Sequence, residues 1–144
     1  MKSLIMSVLA LAISTGIIHA SSWTTDYQAA LTRAKQEHKR VLLDFTGSDW
    51  CPYCEMLDSE VLSKDEFKQY ADANFVLVMV DFPQQKPQSD DVKKANAALS
   101  DKFHVDGYPT LVVVASDGRE LGRTSGYDPG SGPDAVISAL KVIR

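Results

Sequence analysis

The sequence has few cysteines, no excess of positive charge and, after its first twenty residues, no long apolar run. Two cysteines in 144 residues are too few for a disulfide-rich scaffold. A formal net charge of −4 lacks the electrostatic signature of a general nucleic-acid-binding protein. The chain has neither the Gly-x-Ser-x-Gly motif of hydrolases nor a glycine-rich phosphate-binding loop after a predicted strand. Its 44% hydrophobic and 24% charged residues fit one ordinary globular domain.

The first twenty residues have the pattern of a secretory signal peptide. One cation, Lys2, precedes an apolar run over residues 4–18, and small residues follow the run. The run holds about fifteen residues, fewer than the roughly twenty that a helix needs to cross a bilayer. We predict a signal peptide over residues 1–20 and a globular domain over residues 21–144, with no stable membrane insertion after cleavage. If the domain is exported, it lies in an oxidising compartment. An uncleaved membrane anchor is the alternative.

Helix-like and strand-like patterns alternate along the rest of the chain. Apolar residues at helical spacing predict helices, and short runs rich in valine and leucine predict buried strands. An Asp-Gly pair predicts a hairpin between the last two strands. The expected fold class is α/β, with a central mixed β-sheet flanked by helices on both faces. The predicted helices cover residues 23–39, 51–62, 63–71, 91–103 and 133–142, and the predicted strands cover residues 41–45, 75–81, 110–115 and 120–125.

Local capping patterns indicate where the helices begin. Thr24 or Thr25 is expected to cap the first helix, because their hydroxyls can accept an unpartnered N–H of the first turn. Ser63-Lys64-Asp65-Glu66 has the form of a capping box and is expected to open a further helix. Before it, a single helix is expected to run from the cysteines to Leu62.

The most informative motif is Cys51-Pro52-Tyr53-Cys54, which follows a predicted strand and opens a predicted helix. Free N–H groups and the macrodipole at a helix start stabilise negative charge, so the pKa of Cys51 should fall below about 8.5, the ordinary thiol value. Cys54 lies one turn later on the same face and can attack a mixed disulfide at Cys51. We predict an exposed attacking thiol at Cys51 and a shielded resolving thiol at Cys54. A structural staple is the alternative, although so short a loop stabilises by only about 2 kcal/mol.

Acidic residues near the motif oppose this activation. Asp49, Glu55 and Asp58 lie close in sequence, and negative charge raises the pKa of a thiolate. We therefore expect moderate activation of Cys51, with its thiolate absorbance titrating well above pH 5.

The segment over residues 45–54, Phe-Thr-Gly-Ser-Asp-Trp-Cys-Pro-Tyr-Cys, resembles the thioredoxin-like superfamily and especially its exported single-domain members in bacterial envelopes. The resemblance covers nearly all of the chain that follows the signal peptide. It implies that Asp44 is the buried acid that exchanges a proton with Cys54 and that Trp50 shields the site. It also implies that Pro109 is a cis-proline in the substrate-binding loop. The substrate-binding positions expected on this basis are Trp50, Pro52, Tyr53, Tyr108 and Pro109.

Each of these positions also has a plain structural explanation. Asp44 could form a turn at the end of its strand, and Trp50 could be a core aromatic residue. Pro109 could be an ordinary trans-proline at the start of a strand. Gly126 is a weaker candidate for the glycine beside which a substrate chain passes, because any turn could use a glycine there.

The chain also departs from the family pattern. One more residue separates Asp44 from Cys51 than in thioredoxin itself, Ser59 stands where thioredoxin has a helix-kinking proline, and the loop over residues 82–90 is extended. The reduction potential of the family therefore does not carry over. The Pro-Tyr pair between the cysteines is familiar from glutaredoxins, so a glutaredoxin-like activity is an alternative, although no glutathione-site pattern accompanies it.

Two functions of other classes compete with redox exchange. The cysteines could supply half of a tetrahedral zinc site, but the remaining candidate ligands after signal removal are His38 and His104, each in a setting typical of the surface. A redox-inert module that merely binds peptides is the second rival. It predicts that Cys51→Ser leaves function intact.

The sequence favours an exported thiol–disulfide oxidoreductase, periplasmic or secreted, and more a reductase than a disulfide-donating oxidase or isomerase. We expect no organic cofactor and no metal, because the two cysteines carry both electrons. The expected partners are exported proteins that contain disulfides and a membrane electron donor that resets the pair, with no nucleic acid.

Overall fold

The computed structural model describes residues 22–144, so the predicted signal peptide over residues 1–20 lies outside the described residues. Helices and strands alternate along these residues in the expected order. The helices are α1 (Tyr27–Glu37), α2 (Pro52–Leu57), α3 (Asp65–Asn74), α4 (Asp90–Phe103) and α5 (Gly132–Lys141), with a π-helical turn at Asp58–Leu62 directly after α2. The strands are β1 (Arg40–Thr46), β2 (Phe75–Asp81), β3 (Thr110–Val114) and β4 (Glu120–Ser125).

The four strands form one mixed sheet in the order β2-β1-β3-β4. β1 pairs with β2 in parallel and with β3 antiparallel, while β3 and β4 form the hairpin that the Asp-Gly pair predicted. Helices cover both faces of the sheet, so the predicted α/β architecture is confirmed. β1 is an inner strand, and the loop that follows its last residue carries the cysteines.

β1 divides its side chains between two hydrophobic cores, because alternate residues of a strand point to opposite faces. Val41, Leu43 and Phe45 belong to the core under α1 and α4. Leu42 belongs to the core under α2, α3 and α5. Burying one such side chain stabilises the fold by about 1.5 to 3 kcal/mol. Asp44 is the next residue on the Leu42 face, so a carboxyl group enters a mainly apolar layer.

The start of α1 differs from the prediction. Asp26, not Thr24 or Thr25, is the N-cap, and its Oδ1 accepts the N–H of Ala29 at 2.9 Å. Thr24 instead pairs with Val78 and extends the sheet beyond β2. The prediction was wrong because backbone pairing with a distant strand cannot be seen in the local pattern.

The chain after α2 also differs from the single helix that was expected. The α-helix ends at Leu57, and a π-helical turn continues to Leu62. Such a turn holds an extra residue, which lets both Val61 and Leu62 enter the core. Ser63 forms no capping box: its hydroxyl donates to Asp58 at 3.2 Å, and α3 begins without a side-chain cap.

Candidate active site

A disulfide between Cys51 and Cys54 lies at the start of α2, with the two Cα atoms 5.2 Å apart. Cys51 is the N-cap residue, and its Sγ accepts the backbone N–H of Cys54 at 3.3 Å. Pro52 occupies the first helical turn, where the N–H that it lacks has no intrahelical acceptor. Hydrogen bonding to the charged form lowers the pKa of a thiol, so this arrangement suits a thiolate at Cys51 after reduction.

The prediction that Cys51 is exposed is wrong for this oxidised form. Cys51 has 5% of its surface exposed and Cys54 has 3%. The residues between them are exposed, Tyr53 to 52%. Access to the sulfur atoms is therefore bordered by the side chains of Pro52 and Tyr53.

Asp44 is buried in the middle of the sheet, with 4% of its surface exposed. Among the described residues, its Oδ1 has no hydrogen-bond partner. Burial disfavours the carboxylate and raises the pKa of Asp44 from 3.8 to about 7, with smaller contributions from the negative charges of Asp58 and Asp81. A carboxyl group with this pKa can take or give a proton near neutral pH.

A cavity of about 340 Å³ joins Asp44 to Cys54. The cavity lies on the Leu42 face of β1, which is why Asp44 and Thr46 share it. Most of its lining residues carry polar or charged side chains, so it provides a place where a proton can pass between a carboxyl and a thiol. It is lined by Asp44, Thr46, Ser48, Cys54, Glu55, Asp58, Met79, Asp81 and Lys86.

Aromatic contacts bring the predicted substrate-binding loop to the cysteine loop. The Tyr108–Pro109 peptide bond is cis, as predicted, and Pro109 is buried. The rings of Trp50 and Tyr108 meet edge to face, with 5.9 Å between their centroids. Trp50 is 37% exposed, so it borders the site and is not a core residue. The Pro109 carbonyl accepts the N–H of Gly126, whose φ of +77° favours glycine.

Sequence reasoning missed a set of bonds between the cysteine loop and the extended loop after β2. Ser48 binds Asp81, and Asp49, which was expected mainly to raise the thiolate pKa, binds the backbone of residues 84–86. These partners are 33 to 37 residues apart, and no periodic signal connects them. The unusual length of the loop over residues 82–90 was the available clue.

The two histidines weighed as metal ligands occupy equivalent structural positions. His38 ends α1 and His104 ends α4, each with a left-handed backbone that satisfies the last turn of its helix. Within residues 22–144, no three His, Cys, Asp or Glu side chains are grouped in a way that could hold a metal ion.

A family model described as a thioredoxin-like domain matches residues 27–141, which is most of the chain. The chain belongs to the thioredoxin-like family. Among curated proteins, the disulfide bond reductase DsbH of Chlamydia pneumoniae is 40% identical over 119 residues, covering 81% of this chain and 71% of that protein. The thioredoxin-related protein DsbJ of the same organism is 30% identical over 122 residues, covering 85% of this chain but only 35% of that protein.

Solved structures show the same relationship. A structure titled DsbH oxidoreductase superposes with a TM-score of 0.77 at 36% identity, covering 94% of this chain and 92% of that one. The C-terminal domain of Neisseria meningitidis DsbD in its oxidised form gives a TM-score of 0.59 at 26% identity, covering 81% and 90% of the two chains. This thioredoxin-like chain is therefore a relative of Dsb-type thiol–disulfide oxidoreductases and carries their Cys-x-x-Cys pair.

In the part of the chain that the structure describes, no helix combines the length and the apolar character needed to span a bilayer.

Proposed function

We propose that the protein is an exported thiol–disulfide reductase that acts on protein disulfides through Cys51 and Cys54. The observation that carries the proposal is the shared cavity, in which the buried Asp44 carboxyl lies behind Cys54. The Oδ1 atom of Asp44 has no hydrogen-bond partner within residues 22–144, and a purely structural disulfide has no need for such a buried acid, because it costs stability. A thiol that must lose a proton in each cycle does need one.

The reaction consists of two thiol–disulfide exchanges. The Cys51 thiolate attacks one sulfur of the substrate disulfide, which forms a mixed disulfide and releases the other substrate sulfur as a thiolate. Cys54 gives its proton to Asp44 and attacks the Sγ atom of Cys51, which releases the second substrate thiolate. Two electrons pass to the substrate, and the protein ends with the Cys51–Cys54 disulfide.

The proposed roles follow from position. Cys51 is the nucleophile because its Sγ is at the helix start, and Cys54 resolves because it faces the cavity. Asp44 is the base because its pKa of about 7 allows proton transfer at neutral pH. The aromatic and proline residues around the disulfide form the substrate-binding surface; these are Trp50, Pro52, Tyr53, Tyr108 and Pro109.

The reducing direction is supported by the DsbH relative, which is named a disulfide bond reductase. Acidic residues near the cysteines support it too, because Glu55 and Asp58 line the cavity and disfavour a highly stabilised thiolate. A reductase must be reduced after each cycle. We propose that a membrane protein with a reactive dithiol supplies the two electrons in the periplasm or outside the cell, after a signal peptide over residues 1–20 has been removed.

The deciding experiment is the equilibrium reduction potential of the pair, measured against dithiothreitol and glutathione buffers. Trp50 precedes Cys51 and provides a fluorescence signal. A value near the roughly −270 mV of thioredoxin supports a reductase, whereas one nearer −120 mV, as in DsbA, indicates a disulfide donor. A pair that never cycles would leave the protein as a redox-inert peptide-binding module.

A further inference from the structure

The loop segment over residues 82–86, here called the ledge, forms hydrogen bonds with the residues that precede Cys51. The backbone N–H and the hydroxyl of Ser48 donate to the carboxylate of Asp81, at 2.9 and 2.6 Å, at the base of the ledge. The indole N–H of Trp50 donates to the carbonyl of Phe82 at 2.7 Å. The cysteine loop and the ledge are thus held as one unit.

Asp49 accepts more of these hydrogen bonds than any other residue of the unit. Its Oδ1 accepts the N–H of Gln84 at 2.9 Å, and its Oδ2 accepts the N–H groups of Gln85 and Lys86, both at 2.8 Å. Three consecutive N–H groups that converge on one carboxylate form an anion-binding concavity, here filled from within the chain. These bonds, with that to Gln84 first, lower the pKa of Asp49, so its charge persists at neutral pH.

Aromatic packing extends the ledge to the proposed substrate-binding loop. Phe82 packs against Tyr108 with 5.3 Å between ring centroids, and Tyr108 also contacts Trp50 edge to face. Gly47 allows this arrangement, because a Cβ atom there would lie 2.6 Å from Cζ2 of Trp50. The ledge, Trp50 and the cis-proline loop therefore form a continuous border beside the disulfide.

The ledge displays polar side chains along this border. Gln84, Gln85 and Lys86 are exposed, and the two amide groups can donate hydrogen bonds. The Lys86 ammonium donates to the Ser48 hydroxyl at 3.4 Å and has further N–H donors. Their own backbone N–H groups are already bound by Asp49. A polypeptide that passes the border in an extended conformation presents backbone carbonyls, which are acceptors for such donors. A small aromatic disulfide has no polypeptide chain to present such carbonyls.

We propose that the ledge contacts the polypeptide that flanks a substrate disulfide and makes the protein selective for protein disulfides over small-molecule disulfides. Asp49 is a positioning residue in this scheme, because it fixes the ledge before substrate arrives. An ordered loop does not lose conformational freedom on binding, so the contact costs less free energy. This inference rests on the proposed function and names the substrate class of the same site.

The test compares two substrates in single-turnover reactions of the reduced protein. Insulin supplies a protein disulfide, and Ellman's reagent supplies a small one. Asp49→Ala and Asp49→Asn remove the same charge, but asparagine keeps one oxygen that can accept two of the three bonds. Asp101→Ala is the matched control, because Asp101 is an exposed acid on α4 whose side chain forms no hydrogen bond within residues 22–144.

We expect Asp49→Ala to slow the reaction with insulin about tenfold, which corresponds to a modest loss of binding energy, and to change the reaction with Ellman's reagent less than about twofold. The rate of Asp49→Asn with insulin should lie between those of Asp49→Ala and wild type, and the Asp101→Ala control should react at the wild-type rate. If Asp49→Ala slows the reactions with both substrates equally, or slows neither, the inference is overturned. If the wild type reduces neither substrate, the proposed function has failed, and this test separates the two outcomes.

Discussion

Asp44 lies on β1 and Asp49 lies in the turn that leads to Cys51, and their carboxyl groups have different surroundings. Asp44 is buried, has an oxygen without a partner among the described residues, and has its pKa raised to about 7. Asp49 is half-buried and accepts three backbone N–H groups, and its pKa is lowered. The same side chain is thus suited to proton transfer in one place and to a fixed charge in the other, because burial raises the pKa of Asp44 and N–H donors lower that of Asp49.

The site has two regions. Behind Cys54, the cavity around Asp44 is suited to moving protons, while beside Cys51 the ledge and Trp50 are suited to holding a substrate. If this division is correct, substitutions behind the pair change the second exchange and its pH dependence. Substitutions in the region beside Cys51 change substrate preference.

The largest expected effects come from substitutions of the two cysteines, one in each region. Cys51→Ser should reduce single-turnover disulfide reduction to below about a thousandth of wild type, because the nucleophile is lost. Cys54→Ser should still attack substrate and should accumulate the mixed disulfide, because no resolving thiol remains. Gel analysis without reductant, with mass spectrometry, measures the trapped species. A trapped species in Cys51→Ser but not in Cys54→Ser would reverse the assigned roles.

Asp44→Asn tests the region behind Cys54. Loss of a general base should slow the resolving step by about 100-fold. In wild type this step should accelerate as the pH rises through about 7, where Asp44 loses its proton, and the variant should lack that inflection. Stopped-flow measurement of mixed-disulfide decay over the pH range provides the profile. An unchanged profile would show that another group receives the proton.

The stability of the same variant is an independent measurement. Asp44 binds its proton more tightly in the folded chain, with a pKa of about 7, than in the unfolded chain, near 3.8. The free energy of unfolding should therefore fall as the pH rises from about 4 to about 7, by roughly 4 kcal/mol at most. Asp44→Asn should lack this fall. Urea unfolding of the oxidised proteins at several pH values measures this free energy. If it changes with pH in the same way in wild type and Asp44→Asn, the assigned pKa is contradicted.

The order of the strands and helices could be predicted because burial imposes a period on the sequence. The strand over residues 75–81 and the hairpin partner over residues 120–125 match their predicted bounds, since runs of valine and an Asp-Gly pair are local signals. The cis peptide before Pro109 was predicted only through the family resemblance. Helix caps failed where a distant strand or a π turn changed the local geometry, as at Thr24 and Ser63.

The candidate site was predictable in part for the same reason. The Cys51–Cys54 spacing and the position of Asp44 on a strand are visible in the sequence, because both depend on neighbours close along the chain. The role of Asp49 depends on residues 84–86, which become its neighbours only when β1 and β2 pair in parallel. From its negative charge, Asp49 was expected to raise the thiolate pKa of Cys51. Its hydrogen bonds show that it also holds the loop over residues 84–86 in place.

The smallest predicted effect concerns which charges act on Asp44. Burial is the main cause of its raised pKa, and Asp58 contributes more than Asp81. Asp58→Asn should therefore lower the pKa of Asp44 by less than about one unit, because it removes a neighbouring charge and leaves the burial unchanged. Asparagine at this position keeps an oxygen that can accept the hydroxyl of Ser63.

Glu55→Gln is the matched control, because Glu55 lines the same cavity but is not among the groups that shift Asp44. The carboxyl carbon of Asp44, followed by NMR in the oxidised protein as the pH changes, measures the pKa directly. The control should titrate like wild type. A fall to near 3.8 in Asp58→Asn would mean that charge, and not burial, holds the proton on Asp44, and the contrast with Asp49 would then be one of neighbouring charges instead of solvent access and N–H donors.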